Sequence, residues 1–429
     1  MTAVIVPFRP LRFQLGPEAD VGAVWAPPYD VITAGDAATL RERHTHNIVR
    51  ITNPTDGRED RYATAARELG SWIDDGALVR ESQPAVYVHQ HTFESAGNSY
   101  RRTGFWALVR LDEFGAGGVV PHERTLEGPK ADRLALMRAC RAQLSPVFFI
   151  SSDPDGSLLA LMEGAAKGEP HEEAEFPTGM RHRIWRVVDQ PYLNRLLSAA
   201  REQVLLIADG HHRYETALKY RDELVAAGAA QTGRGPHECL LAYIVPEDDP
   251  GLLLLPTHRL MHGDPLPWVS AVLKTSDRFD VSRLSGAEVE SAVAALGGES
   301  GRPSFVLVAR DEDGGWLLRL RKPTSTTAIS SVALHEVFLA EGAGLSVAQQ
   351  VERVSYVKDA SEALESVRTG TAQAAFILSA PEVGQVRAAA AAGERLPPKT
   401  TYFWPKVPTG IAIHSIDPSE TLDFAAEAG

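Results

Sequence analysis

The feature that most limits the fold is a repeated switch of hydrophobic period. Pro84 to Phe93 (PAVYVHQHTF) and Gly104 to Leu111 (GFWALVRL) alternate like paired strands, and Glu94 to Ser99 between them holds the turn residues a hairpin needs. Ala34 to His44 and Asp60 to Asp75 place apolar residues at three- and four-residue steps, which is the helical pattern. A chain that keeps changing period is neither a helical bundle nor an all-β sandwich. The expected class is α/β in the mixed α+β sense.

The alternation continues along the chain. A helix is expected over Lys130 to Ala142, strands over Pro146 to Ile150, Arg183 to Val188 and Val204 to Ala208, and a helix over Arg213 to Ala227. Leu240 to Val245 and Leu252 to Leu255 add strands. From about Pro265 the pattern restarts with a hairpin, Ser304 to Ala309 and Gly315 to Leu320 around Asp311-Glu312-Asp313-Gly314. Helices over Val332 to Glu341, Ala360 to Thr369 and Glu382 to Ala392 then alternate with strands over Ser355 to Val357 and Ala374 to Leu378. Gly410 to Ser415 is the last ordered run. The restart divides the chain into an N-terminal α/β region, 1–264, and a C-terminal α/β region, 265–429, with crossovers in the second. The acidic tail is expected to fray.

Composition excludes several classes. With 44% hydrophobic and 23% charged residues in 429, the chain is globular. Its net charge of −13 repels phosphate backbones, so neither nucleic acid nor membrane is an expected partner. Two cysteines, Cys140 and Cys239, rule out a disulfide scaffold or a Cys-rich zinc module. The start, MTAVIVPFRPLRF, lacks a basic segment followed by an apolar stretch, and no apolar run spans a bilayer, so a cytoplasmic location is expected. Lysine occurs only at 130, 167, 219, 274, 322, 358, 399 and 406, which lends weight to a lysine in a Gly/Pro/His-rich loop.

The strongest chemical signal is ADGHHRYETA, Ala208 to Ala217. An apolar strand runs into Asp209-Gly210, and His211, His212 and Arg213 open a helix. Backbone amides at a helix start attract anions, Gly210 lets a phosphate approach, and Arg213 can clamp it. The plain alternative is a strand–turn–helix with Asp209 as N-cap and surface histidines. In PHERT and GPKADR, His122 and Glu123 are acid–base candidates, while Lys130 and Arg133 sit at a helix start; a solvated Pro-initiated helix weighs equally. Thr257 and His258 (LPTHR), Asp30 (APPYDV), and Lys399 and Thr400 (PPKTTYF) are weaker candidates. No GxxxxGK[ST] precedes Lys399, so it is not in a P-loop. His122, Glu123, Asp209, His211, His212 and His258 are metal-ligand types without metal-site spacing, so no protein metal site is assigned and loosely held Mg²⁺ is favoured.

PFRPLR, APPYDVI, NIVR, PHERT, GPKADR, Ser145-Pro146, ADGHHRYETA, LPTHRL and PPKTTYF, in this order over nearly the whole chain, resemble the family called domain of unknown function 1015. The DGHHR element is similar to the phosphate-binding turn of the ParB/sulfiredoxin superfamily, which includes kinases acting on free serine. That resemblance implies a ParB/sulfiredoxin-like phosphate-binding core. It also implies phosphoryl transfer between a nucleotide (ATP or ADP, with Mg²⁺) and free serine, in either direction, and a place in serine biosynthesis. In that scheme Gly210, Arg213, Lys130, Arg133, Lys399 and Thr400 bind phosphate or nucleotide. Asp30, His122, Thr257 and His258 contact substrate; Glu123 or Asp209 takes the serine proton, and His211 or His212 orients. The alternatives are a metal-assisted phosphoserine phosphatase and a non-catalytic nucleotide-binding regulator. Self-association is left open.

Overall fold

A computed structural model of the chain describes residues 2–16, 19–55, 60–115, 118–123, 125, 127–201, 204–297, 302–324 and 328–422. Arg124 of PHERT and 423–429 of the acidic tail lie outside the described residues. The contacts divide the chain into two compact units. The first takes the described residues of Met1–Pro121, Thr125–Leu252 and Pro405–Gly429; the second takes those of His122–Arg124 and Leu253–Trp404.

The first unit is built on a mixed sheet of nine strands among the described residues. They are β1 (Ile5–Val6), β2 (Val86–Ser95), β3 (Asn98–Arg110), β4 (Val119–Val120), β5 (Val147–Ser151), β6 (Glu172–Glu175), β7 (Arg181–Val187), β8 (Leu205–Asp209) and β9 (Cys239–Pro246). Their order is β4-β8-β5-β9-β3-β2-β7-β6, with β1 also on β3. Only β4/β8 and β5/β9 pair in parallel. The expected hairpin is present and tighter than the sequence suggests. Ala96 and Gly97 both have positive φ (49° and 76°), so a two-residue turn sets Ser95 opposite Asn98 and both strands run longer.

One face of this sheet carries the apolar core, where Phe105, Val109, Phe149, Ile207 and Ile244 meet Leu134, Met137, Leu158, Leu196 and Tyr214 from helices. Two of the helices on the first unit, Ser157–Ala165 and Gln190–Arg201, escaped the sequence reading. Another set of strand residues is polar yet buried: His89, His91, Arg102 and His182, beside Trp106 and Tyr243. The hydrogen bonds fix the tautomers there. Trp106 Nε1–H donates to His89 Nδ1 (3.2 Å), so His89 Nε2–H donates to His182 Nδ1 (2.9 Å) and His182 Nε2–H to the Phe176 carbonyl (2.6 Å). Burial holds these imidazoles neutral, with His182 pushed down to about 4.

The second unit has a sheet of six strands among the described residues, and its strands continue the numbering in chain order. β10 (Leu253–Leu255) pairs with β17 (Tyr402–Trp404) outside it. The sheet itself contains β11 (His258–Met261), β12 (Phe279–Leu284), β13 (Ser304–Ala309), β14 (Gly315–Leu320), β15 (Val354–Val357) and β16 (Ala374–Leu378) in the order β12-β14-β13-β16-β11-β15. The expected crossovers occur, but every pairing is antiparallel. Helices cover both faces: Trp268–Lys274 and Ala333–Gly342 on an aromatic core around Phe305, Phe338 and Phe376, and Gly286–Leu296 and Ala360–Arg368 on an aliphatic one.

The units do not follow a single cut near residue 264. Leu253–Leu255 is hydrogen-bonded to Tyr402–Trp404 and stays with the second unit. The last ordered run returns to the first, where Thr409 pairs with Ala26, Ile413 with Leu11 and His414 with Gln143. Backbone pairing, which a restart in hydrophobic pattern does not report, assigns these segments.

Candidate functional site

In the first unit the register of β8 against β5 shifts between Ile207 and Asp209, the irregularity that ends the strand. Gly210 then turns the chain at φ 102°, and a helix runs from His211 to Ala226 with no side-chain cap at its start. Glycine is required twice here. Its φ is left-handed, and a Cβ would stand 3.0 Å from Arg213 Nε, where the guanidinium folds back over the turn. Asp209 receives Arg213 Nη2 on one carboxylate oxygen and Lys406 Nζ on the other, and Arg213 Nη1 donates to the Pro146 carbonyl. The three side chains are 12 to 17% exposed. Two cations thus meet the Asp209 carboxylate at a helix start, where the backbone dipole also favours an anion. The adjacent histidines diverge, His211 buried and His212 half-buried.

The helix Glu127–Cys140 supplies two further cations. Lys130 Nζ lies 3.0 Å from Glu215, which also accepts the Thr125 hydroxyl at 2.7 Å. Arg133 donates through Nε to Asp132 (2.8 Å) and through Nη1 to the Thr52 carbonyl (2.8 Å), and its guanidinium lies 4.1 Å from the centroid of the Tyr29 ring. Asp132 also accepts from Arg61 and the Tyr62 hydroxyl, both at 2.9 Å, and these partners hold its carboxyl below the usual range. Arg133, Arg213 and Tyr29 line a pocket of about 470 Å³ of atom-free space, part of it open solvent. Burial raises the Tyr29 phenol, against the pull of Arg213 and Arg133, so the hydroxyl stays protonated. Asp30, next in the same turn, is exposed.

The second unit holds the other sequence candidates, and most are tied into its interior. His122 is buried with Nε2 2.9 Å from the Thr401 hydroxyl. Glu123 accepts the Lys399 backbone N–H at 3.3 Å. Thr400 is buried, its hydroxyl 3.0 Å from Ser331 and donating to the Pro397 carbonyl at 2.8 Å. Lys399 itself adopts a left-handed backbone, φ 57°. His258 Nδ1 accepts the Leu378 N–H at 3.2 Å, and burial beside Arg259 pushes it down to about 4. Thr257 is buried, and its carbonyl accepts from Arg259, which donates also to the Pro398 and Lys399 carbonyls.

Three residues that shape these clusters were not chosen from sequence. Lys406 was visible only as one of eight lysines. Tyr29 stands beside Asp30 in APPYD, and Arg259 beside His258 in PTHR; the motif was found and the neighbouring residue taken. Among the described residues no group of three His, Cys, Asp or Glu side chains is placed to hold a metal ion. No described helix is long and apolar enough to cross a membrane.

Fold and turn together define a mixed α/β protein with a cationic strand–turn–helix junction. Residues 5–338 match the family described as "Protein of unknown function (DUF1015)", and the chain belongs to that family. No curated protein matches the sequence. Among solved structures, a conserved hypothetical protein from Pyrococcus furiosus is similar at 15% identity, covering 72% of this chain and 94% of its own, with a TM-score of 0.37. A free serine kinase in complex with AMP is similar at 16% identity, covering 70% and 86%, with a TM-score of 0.35. SbnI with a C-terminal truncation from Staphylococcus aureus is similar at 10% identity, covering 70% and 84%, also at 0.35.

Proposed function

We propose that the protein is a small-molecule phosphotransferase that moves a phosphoryl group between a nucleotide and the hydroxyl of free serine, in the cytoplasm. The observation that carries this reading is the turn: a helix start at Gly210 with no side-chain cap and with two cations, Arg213 and Lys406, on the Asp209 carboxylate. Phosphoryl transfer asks for charge neutralisation and positioning more than for covalent chemistry. The likeness of DGHHR to the ParB/sulfiredoxin turn supports the same reading.

In this scheme the Gly210 turn and Arg213 receive the phosphoryl group, and Lys130 adds positive charge on the neighbouring helix. Asp209 is engaged by two cations, which makes it the poorer proton acceptor. Glu123 is the other candidate for the base. Loosely held Mg²⁺ would arrive on the nucleotide phosphates, where it neutralises charge.

The test is serine release from phosphoserine with Mg²⁺, with and without ADP, while ATP is assayed. Serine that appears only with ADP and is matched by ATP supports the proposal. Serine without ADP replaces it with hydrolysis. Silence in both overturns the substrate.

A further inference from the structure

The pocket beside the turn has hydrogen-bonding capacity left over, and it is of one kind. A guanidinium carries five N–H groups. Arg133 directs bonds from Nε, Nη1 and Nη2 to Asp132 and the Thr52 carbonyl, and Arg213 directs bonds from Nη1 and Nη2 to the Pro146 carbonyl and Asp209. Each therefore keeps N–H groups to donate. The Tyr29 hydroxyl has no hydrogen-bond partner among the described residues, and it lies within electrostatic reach of both guanidiniums. The remaining polar side chains of the lining are satisfied inside the fold. Gln143 bonds the Cys239 carbonyl and the Leu241 N–H, Ser145 pairs with Thr409, Thr216 donates to the His212 carbonyl and Thr52 to the Ile48 carbonyl. The rest of the wall is apolar.

Open donors facing an apolar wall select a small molecule with an oxyanion and little else. We propose that this pocket binds the carboxylate of a phosphorylated hydroxy-amino acid between Arg133, Tyr29 and Arg213, while its phosphoryl group sits on the Gly210 turn. The inference rests on the phosphotransferase reading for the phosphoryl position; the carboxylate assignment comes from the donors. A carboxylate presents two coplanar oxygens, which suits a guanidinium fork and a phenol donor. Arg213 borders both the turn and the pocket, so one residue ties the two ends of the ligand together. Arg133 becomes a specificity-determining residue for the acceptor rather than a nucleotide ligand.

Calorimetry on the full chain tests this with phosphoserine, phosphoethanolamine (the same phosphate and amine without the carboxylate), inorganic phosphate and ADP. The expected result is phosphoserine binding about tenfold or more tighter than phosphoethanolamine, the yield of one or two charge-assisted hydrogen bonds. Tyr29→Phe and Arg133→Gln should each shrink that gap and leave inorganic phosphate and ADP affinities as they were. Tyr29→Phe removes one oxygen only, so it guards against an unfolded Arg133 variant. Equal affinity for the two phospho-ligands, a gap that survives both variants, or no binding of either ligand overturns the proposal. A parallel loss of inorganic phosphate in Arg133→Gln also overturns it, because the pocket is then the phosphate site. A persistent gap without turnover in the ADP assay keeps the pocket and rejects phosphotransfer; turnover with no gap does the reverse.

Discussion

Two loops in this protein look alike in sequence and differ in what their polar groups face. Asp209 to Arg213 and Pro397 to Thr401 each combine a cation, conformationally special backbone and hydrogen-bonding side chains. In the first, Arg213 and Lys406 share one carboxylate at a helix start, and the neighbouring pocket keeps open donors. In the second, the Thr400 hydroxyl is tied to Ser331 and Pro397, and the Arg259 guanidinium goes to the carbonyls of Thr257, Pro398 and Lys399. Arg259 is 1% exposed, its bonds go to backbone carbonyls and its remaining Nε–H is shut inside the fold, so it holds a loop; Arg133 and Arg213 are 12% exposed and line a pocket, so their remaining donors can meet a ligand. What the open donors face, rather than the residue types, separates the two.

The largest effect should come from the second loop and appear in stability. Arg259→Ala removes a buried guanidinium and leaves three carbonyls without that donor, which should cost about 3 kcal/mol in urea unfolding. Phosphoserine affinity should change less than twofold; a loss beyond tenfold in a folded variant would make the second loop part of the binding site. Arg213→Ala should show the opposite pattern. Its phosphate-ligand affinity should fall about ten- to a hundredfold with little change in unfolding midpoint, and unchanged binding would remove the turn from the argument.

Acid should separate the buried imidazoles from the turn. Burial pushes His258 and His335 down to about 4 from 6.5. Between those values the unfolded chain binds protons that the folded chain refuses, so stability rises with pH and is lost as pH falls from 6.5 towards 4. Each imidazole contributes up to about 1.4 kcal/mol per pH unit. His182 and His414, also near 4, add to the slope with the same sign. His258→Asn, which can still accept the Leu378 N–H, should lower the slope by one imidazole's share in urea titrations at pH 7, 6 and 5. An identical slope would contradict a neutral buried His258. The smallest expected effect is Gly210→Ala, at about 1 kcal/mol of stability, because φ 102° disfavours a Cβ and Arg213 crowds it. A fully stable variant with intact phosphate affinity would show that the turn relaxes at no cost. Glu123→Gln should reduce turnover more than binding, read as a change in kcat at constant ligand affinity; an unaltered rate would withdraw it as a candidate for the base.

Much of the fold was legible because the hydrophobic period is local. Ala34–Arg43, Ala360–Arg368 and Ala374–Leu378 fall where the spacing puts them. Two of the missed helices, Ser157–Ala165 and Gln190–Arg201, show the limit of that reading: Pro154 and Gly156 stand just before the first and Pro191 lies in the first turn of the second, and both read as breaks in the period. In the site, ADGHHR marks its own turn because strand, glycine and helix are contiguous. Lys406 could not be read there: 197 positions separate it from the Asp209 carboxylate it meets.

By itself the sequence determined the mixed α/β class, the turn at Gly210, the acidic net charge and membership of a family. Those properties depend on residue type and short-range spacing, which chain order preserves. Only the tertiary structure decided which polar groups are consumed. Whether Arg133, Arg213 and Arg259 face a carbonyl, a carboxylate or a pocket depends on segments brought together from far along the chain, and burial then sets the cost of leaving a donor unmatched.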